Sequence, residues 1–472
     1  MSILDYWPFE TFRKGQKEFL LAVEKAWDHY DVIVATAPTG SGKTPIAKCV
    51  QDWQLAQGSG TAYLVPTNQL RDQAMDDFED LVTVKKKSEY WLEKYQMTQE
   101  EFHKRIYKFG PKDSEYERDR RSARLVGSPL IANYYTYLAH KLQRKNVIVD
   151  EAHCLLKTLQ DMNARKVWRH IHGYPMMAST PADVLSWIES KKNVTGLLAK
   201  LRNEIKSLSP GTLLEFGKSE YRGEEKDCLK LIPLDVSREK PLFWPSKTKK
   251  IVLMSATIGP ADVADMGLDK KRVCYIDMES PIPYENRRVI FNPIADMRLK
   301  LQDRSLPIIA DEILKIAAVH PEKGLVHATY NISKKLRPLL EHDDRFMFHT
   351  NIQSNKKSVY DEFCDSDPSE GKILIGSGMS AGIDLKDDLA RWQILLKCPY
   401  PSLANPAMRW LMKNEPSKYS WMTSKEILQS CGRVSRGPED YGITYMLDSS
   451  FENWYISNKE TLPKWFELEN IT

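Results

Sequence analysis

Two short segments carry residue types that could do chemistry together. Ala37-Pro38-Thr39-Gly40-Ser41-Gly42-Lys43-Thr44 follows the apolar run Val32-Ile33-Val34-Ala35, and Asp150-Glu151-Ala152-His153 follows a second run, Asn146-Val147-Ile148-Val149. In the first segment, Gly40 and Gly42 remove side chains where a backbone must pass close to phosphate. The N–H groups at the start of the next helix then face an anion. Thr39 and Ser41 are the other loop candidates. Lys43 can reach the β- and γ-phosphates of ATP, and the Thr44 hydroxyl can ligate Mg²⁺. Ala37 stands where the usual pattern has its first Gly, a small departure because Ala is the next smallest residue. In the second segment, Asp150 suits Mg²⁺, usually through water. Glu151 suits orienting or deprotonating an attacking water, because phosphoryl transfer depends mostly on positioning and charge. His153 has no second His or Cys at ligand spacing, and Cys154 beside it is poorly placed for one. It reads either as a turn-capping surface residue or as a polar link between the ATP site and a later strand.

Both segments need strands to hold them, the cradle on one and the carboxylates on another. Residues 1–80 read as helix, strand, phosphate loop, helix, strand, a βαβ pattern that implies a parallel sheet with helices on both faces. The α/β class follows. Residues 81–125 are charged, aromatic and helical in pattern, with a break at Gly110-Pro111, and residues 126–153 return to the sheet. In residues 154–245, Ala182 through Ile188 and Val194 through Leu208 have helical apolar spacing. Residues 246–278 re-enter the first domain. Residues 279–472 form a second α/β domain, with strands at Gly324–Thr329 and Ile373–Ile375 and a helical tail from Trp454.

Further segments recur in a telling order. Leu64-Val65-Pro66-Thr67-Asn68-Gln69-Leu70 and Lys250-Ile251-Val252-Leu253-Met254-Ser255-Ala256-Thr257 are strands ending in polar turns. Asn133-Tyr134 and Tyr137-Leu138 precede the acidic box. Ser380-Ala381-Gly382-Ile383-Asp384-Leu385 follows a strand, and Gln429, Arg433 and Arg436 fall at helical spacing. This order resembles the superfamily 2 helicases, and within them the XPD/DinG group. Ile232-Pro233-Leu234-Asp235-Val236-Ser237, Ser280-Pro281-Ile282-Pro283-Tyr284-Glu285-Asn286-Arg287 and Phe12-Arg13-Lys14-Gly15-Gln16 are similar to further boxes of that group. The resemblance implies two RecA-like motor domains, the first interrupted by two mainly helical insertions. It implies that Gln16, with Arg13, reads adenine, and that Arg433 and Arg436 are arginine fingers reaching the γ-phosphate, a task suited to a planar guanidinium. Gln429 would touch ATP or the water. Gly382 and Asp384 would bridge the ATP cleft and the nucleic acid. His153, Ser255 and Thr257 would couple the cleft to domain movement. Thr67, Asn133 and Tyr134 would lie on the nucleic acid.

The group often carries a four-cysteine iron–sulfur cluster in its first insertion. Here Cys49 is the one Cys between Thr44 and Asp150. Four thiolates are required, so no cluster is expected. In its place, residues 81–125 hold 12 Lys/Arg and 8 Asp/Glu, interleaved with Tyr90, Trp91, Tyr95, Phe102, Tyr107, Phe109 and Tyr116. Basic groups with aromatic faces are what single-strand binding uses; the same pattern also fits an amphipathic insert with its rings in a core. The chain's net charge is only +4, so any basic surface is local.

No apolar run approaches the roughly 18 residues of a membrane helix, and the start of the chain lacks a signal pattern. Seven scattered Cys fit a reducing compartment. The expectation is a cytoplasmic protein of a bacterium or phage-infected cell that binds single-stranded or forked DNA and uses ATP and Mg²⁺. An RNA helicase or a nucleic-acid-stimulated remodeller is the alternative. The resemblance implies 5′→3′ travel, and no residue shows direction.

Overall fold

The computed structural model describes residues 1–38, 40–78, 81–105, 111–192, 194, 196–221, 224–237, 248–348, 353–376, 387–435, 437 and 439–470. Thr39, Gly382, Asp384 and Arg436 lie outside the described residues, as do Tyr107 and Phe109.

The apolar runs become strands buried on both faces, as parallel sheets covered by helices require. In chain order the strands are β1 (Val32–Thr36), β2 (Thr61–Val65), β3 (Leu130–Asn133), β4 (Asn146–Val149), β5 (Arg165–Trp168), β6 (Leu213–Tyr221), β7 (Glu224–Ile232), β8 (Lys250–Ser255) and β9 (Val273–Asp277). The second half adds β10 (Val289–Ala295), β11 (Gly324–His327), β12 (Phe346–Phe348), β13 (Ile373–Gly376), β14 (Trp392–Leu395), β15 (Ile443–Asp448) and β16 (Glu469–Asn470). The first sheet is six-stranded, in the order β9-β1-β8-β4-β2-β3, and all its pairings are parallel. The second is seven-stranded and also parallel, in the order β12-β13-β11-β14-β15-β10-β16. Register sets Thr36 beside Ser255 and Leu253 beside Val149. The phosphate loop, the Ser-Ala-Thr turn and the acidic box therefore leave neighbouring strands at their C-terminal ends, where open α/β sheets bind ligands.

The 81–125 segment folds around its own rings. Tyr90, Phe102 and Tyr116 are buried, and Tyr90 and Tyr116 meet edge to face at 5.4 Å. Most of its described rings are thus core, and Trp91, half exposed, is the exception. The 154–245 segment contains the expected helices at Pro181–Glu189 and Gly196–Lys206. It also holds a three-stranded antiparallel sheet, β5-β7-β6, that helical spacing did not foresee. The Leu229/Leu231 alternation of β7 is short, and β6 reads Leu-Leu-Glu-Phe-Gly-Lys-Ser-Glu-Tyr, too polar to signal a strand. The tail corrects a second expectation. Among the described residues it is α-helical over Ser450–Asn458, with a 3-10 turn at Lys459–Thr461. β16 then joins the edge of the second sheet beside β10, and Arg288 meets Glu469 at 2.7 Å.

His327 ends β11 and meets Gln393 Oε1 at 2.9 Å. Burial pushes its imidazole down to about 4, against the pull of that bond. A depressed folded value means that the unfolded chain binds the proton more readily. Stability is therefore kept above the ordinary value of about 6.5 and lost as pH falls from there toward 4. At pH 5 the loss is up to about 2 kcal/mol. His327→Gln should lose less thermal stability than the parent between about pH 7.5 and 5; equal losses would contradict this account.

Candidate active site

Sharp backbone turns build the phosphate cradle. Gly40 and Gly42 hold φ of 77° and 73°, the left-handed region that favours glycine. A side chain on Gly42 would also strike Gln16 Nε2, 2.6 Å away. The Lys43–Ala56 helix starts immediately after, so its free N–H groups open toward the loop. Gln16 Nε2 donates to the Ser41 carbonyl at 2.8 Å, and Arg13 Nη1 donates to the Gly40 carbonyl at 3.0 Å. Both residues expected to read adenine therefore brace the loop. The Ser41 hydroxyl is buried and has no partner among the described residues. An unmet donor inside a glycine cradle at a helix N-terminus fits a phosphate.

Lys43 Nζ lies 3.0 Å from Glu151 Oε1. Asp150 is buried, and burial pushes its carboxyl up to about 6 against the nearby Lys43 ammonium. Tyr63 is a residue the sequence reading missed. Its hydroxyl donates to Asp150 Oδ2 at 2.9 Å and stands 3.4 Å from Thr44 Oγ1, joining the two residues expected to hold Mg²⁺. On paper it is one more apolar-run residue of β2. The oxygens of Thr44, at the start of the helix after β1, and of Asp150, just past β4, fit a hard cation. Glu151 has a left-handed backbone, φ 45°, a strain of about 1–2 kcal/mol for a non-glycine residue.

From Glu151 a chain of polar contacts leaves the ATP site. His153 Nδ1 lies 3.4 Å from Glu151 Oε2 and 2.7 Å from Ser255 Oγ. Burial lowers the basicity of this imidazole, while the Glu151 carboxylate beside it pulls the other way. Ser255 Oγ in turn accepts the Thr257 N–H at 3.1 Å, and Gln429 Nε2 donates to Thr257 Oγ1 at 3.3 Å. Gln429 sits on the Pro416–Cys431 helix of the second domain, and Arg433 follows that helix directly. A clasp beside this relay, also missed in sequence, fixes the same helix. Asp262 Oδ2 accepts Trp421 Nε1 at 2.7 Å, Asp262 Oδ1 accepts Lys425 Nζ at 2.6 Å, and Lys418 meets Asp265 at 2.6 Å.

The candidate nucleic-acid residues divide. Thr67 is exposed and caps the Asn68–Asp77 helix, accepting the Leu70 N–H at 3.2 Å. Asn133 caps the Tyr134–Ala139 helix and bonds Asn68. Tyr134 is the correction. It is 1% exposed, and its hydroxyl donates to the carbonyls of Asp150 and Glu151, so it supports the acidic box from behind and cannot meet a strand. Tyr135, one residue on, is 65% exposed. With Thr67, Asn133, His140 and Lys85 it lines an open groove of about 1060 Å³. Lys86, Lys104 and, from the tip of the β6–β7 hairpin, Glu220 also border it.

Residues 10–180 match the family described as "Type III restriction enzyme, res subunit", and residues 313–469 match the "Helicase C-terminal domain" family. The chain is 22% identical over 351 residues to an "ATP-dependent DNA helicase CHL1" of Vanderwaltozyma polyspora, across 66% of this chain and 41% of that relative. It is 24% identical over 251 residues to a "Probable ATP-dependent helicase" of Methanocaldococcus jannaschii, across 46% of this chain and 38% of that relative. The chain thus spans less than half the length of these two relatives. In fold it is similar to the structure of S. tokodaii Xpd4, with TM-score 0.58 at 17% identity over 97% of this chain and 99% of that one. Two RecA-like sheets with this loop and acidic box define a superfamily 2 helicase. Within that superfamily, the fold is similar to that of the XPD structures.

Proposed function

We propose that this chain is an ATP-dependent DNA helicase or translocase that moves 5′→3′ on single-stranded DNA and couples hydrolysis to strand separation. The observation that carries this reading is the polar relay Lys43–Glu151–His153–Ser255–Thr257–Gln429, which joins the phosphate loop to the second domain. Thr44 and Asp150 would hold Mg²⁺, which neutralises phosphate charge when bound. Lys43 must leave Glu151 to meet the γ-phosphate, and the freed carboxylate can then orient water. Arg433 would supply positive charge from the second domain. Movement of Glu151 is felt at Ser255 through His153, and at the Pro416–Cys431 helix through Thr257. No iron–sulfur cluster belongs to this reading, because Cys49, on the phosphate-loop helix, is the one Cys between Thr44 and Asp150, and four thiolates are required.

The DNA strand would lie in the groove between Thr67, Tyr135 and Lys85. Lysines on phosphates make binding salt-dependent, by about 0.7 in log–log slope per single-strand contact. Replacing Lys85 and Lys86 with Gln should lower the salt slope of single-strand binding by roughly 1–1.5. A fluorescence-anisotropy salt titration reads this directly, and an unchanged slope would remove the strand from the groove.

A further inference from the structure

The run Arg165-Lys166-Val167-Trp168-Arg169-His170-Ile171-His172-Gly173-Tyr174 contains no acidic residue. Its first four residues are β5, an edge of the antiparallel sheet. Register decides which way the sheet's residues face. Val167, Leu229 and Leu231 turn inward, onto Ile188, Leu201 and Ile205. Lys166 and Trp168 turn outward and share their face with Lys226, Lys230, Gly217 and Tyr221.

That outer face holds a cluster of rings. Trp168 lies 5.0 Å from Tyr221, and His170 lies 4.9 Å from Tyr221 and 6.0 Å from Trp168. Lys166 Nζ stands 5.8 Å from the Trp168 ring and donates to Ser219 Oγ at 2.7 Å. Glu215 and Glu224 are the acids of this face, and Lys226 meets Glu224 at 2.6 Å. Across β7 from Trp168, with Cys228 between them, a side chain on Gly217 would meet nothing within 4 Å, so the face is open there. Tyr221 is adjacent to Glu220, which borders the groove described above. Glu220 and Tyr221 face opposite sides of β6, so a strand leaving the groove would reach the rings by passing over the end of the hairpin.

We infer that this outer sheet face is a second binding site for single-stranded nucleic acid. Bases leaving the groove stack on Trp168, His170 and Tyr221, while Lys166 and Lys230 meet phosphates. Rings accept any base and lysines any phosphate, so the site binds without regard to sequence. The inference rests on the reading that the groove holds a strand.

Oligothymidines of about 10 and about 25 nucleotides separate the two sites, since one such site covers roughly 4–16 nucleotides. The full chain should bind the longer one more tightly. Trp168→Ala with Tyr221→Ala should weaken binding of the longer oligomer about tenfold and leave the shorter one unchanged. A second variant, His170→Glu with Lys230→Glu, keeps Trp168 and Tyr221 in place and should give the same pattern, so a disturbed sheet in the first variant does not decide the result. The same loss with oligouridine also supports the site. Parent-like binding of both lengths by both variants overturns it and leaves the groove reading intact. Failure of the parent chain to bind either length overturns both.

Discussion

Replacing Lys43 with Ala should lower ATP hydrolysis by on the order of a thousandfold while single-strand binding is retained. The ammonium is the first residue of the Lys43–Ala56 helix and lies 3.0 Å from Glu151. Its loss removes positive charge aimed at the phosphates. It also leaves Asp150 and Glu151 without their shared counter-charge. The Asp150 carboxyl is already pushed up to about 6 by burial, and Lys43 is the cation holding it down. Without Lys43 it should stay protonated at higher pH and hold Mg²⁺ less well. Phosphate release measures the turnover and anisotropy measures the binding. Unchanged turnover would displace the hydrolysis site from this loop.

Arg433→Ala should reduce kcat about a thousandfold or more and leave nucleotide KM little changed, since an arginine finger acts mainly on the transition state. Arg433 follows a helix that Trp421 and Lys425 tie to Asp262 and that Gln429 ties to Thr257. Under the proposed function, domain closure would bring it to the phosphates. Arg433→Lys should rescue little, because an ammonium lacks the planar fork that spans several oxygens. Near-parent kcat in both variants would mean that another group neutralises the transition state.

The parts of this site that were legible in sequence are those in which one local segment holds the whole device. Gly40, Gly42, Lys43 and Thr44 need only their own turn and helix, and Asp150 and Glu151 need only a strand end. Their arrival at the same end of one parallel sheet follows from the βαβ pattern; the strand between them, β8, brings the Ser-Ala-Thr turn. What sequence hid depends on rotation or distance. Tyr134 and Tyr135 differ by one helical step, which turns one ring into the core and the other into the groove. Tyr63 looks like any strand residue until its hydroxyl meets Asp150 from another strand. Asp262 accepts the Gly259 N–H as an ordinary helix-capping acid, and nothing local marks its contacts to Trp421 and Lys425, which come from the second domain. In the β5-β7-β6 sheet, β5 and β7 lie far apart in the chain, and the local β6–β7 hairpin has a first strand too polar to read as one.

The central claim is that this chain couples ATP hydrolysis to a single DNA strand. The most direct measurement is ATP turnover by the purified chain alone, then with single-stranded DNA, duplex DNA and single-stranded RNA. Strong stimulation by single-stranded DNA above duplex and RNA is the predicted result. Turnover that no nucleic acid changes, or that RNA raises as much as DNA, would contradict it.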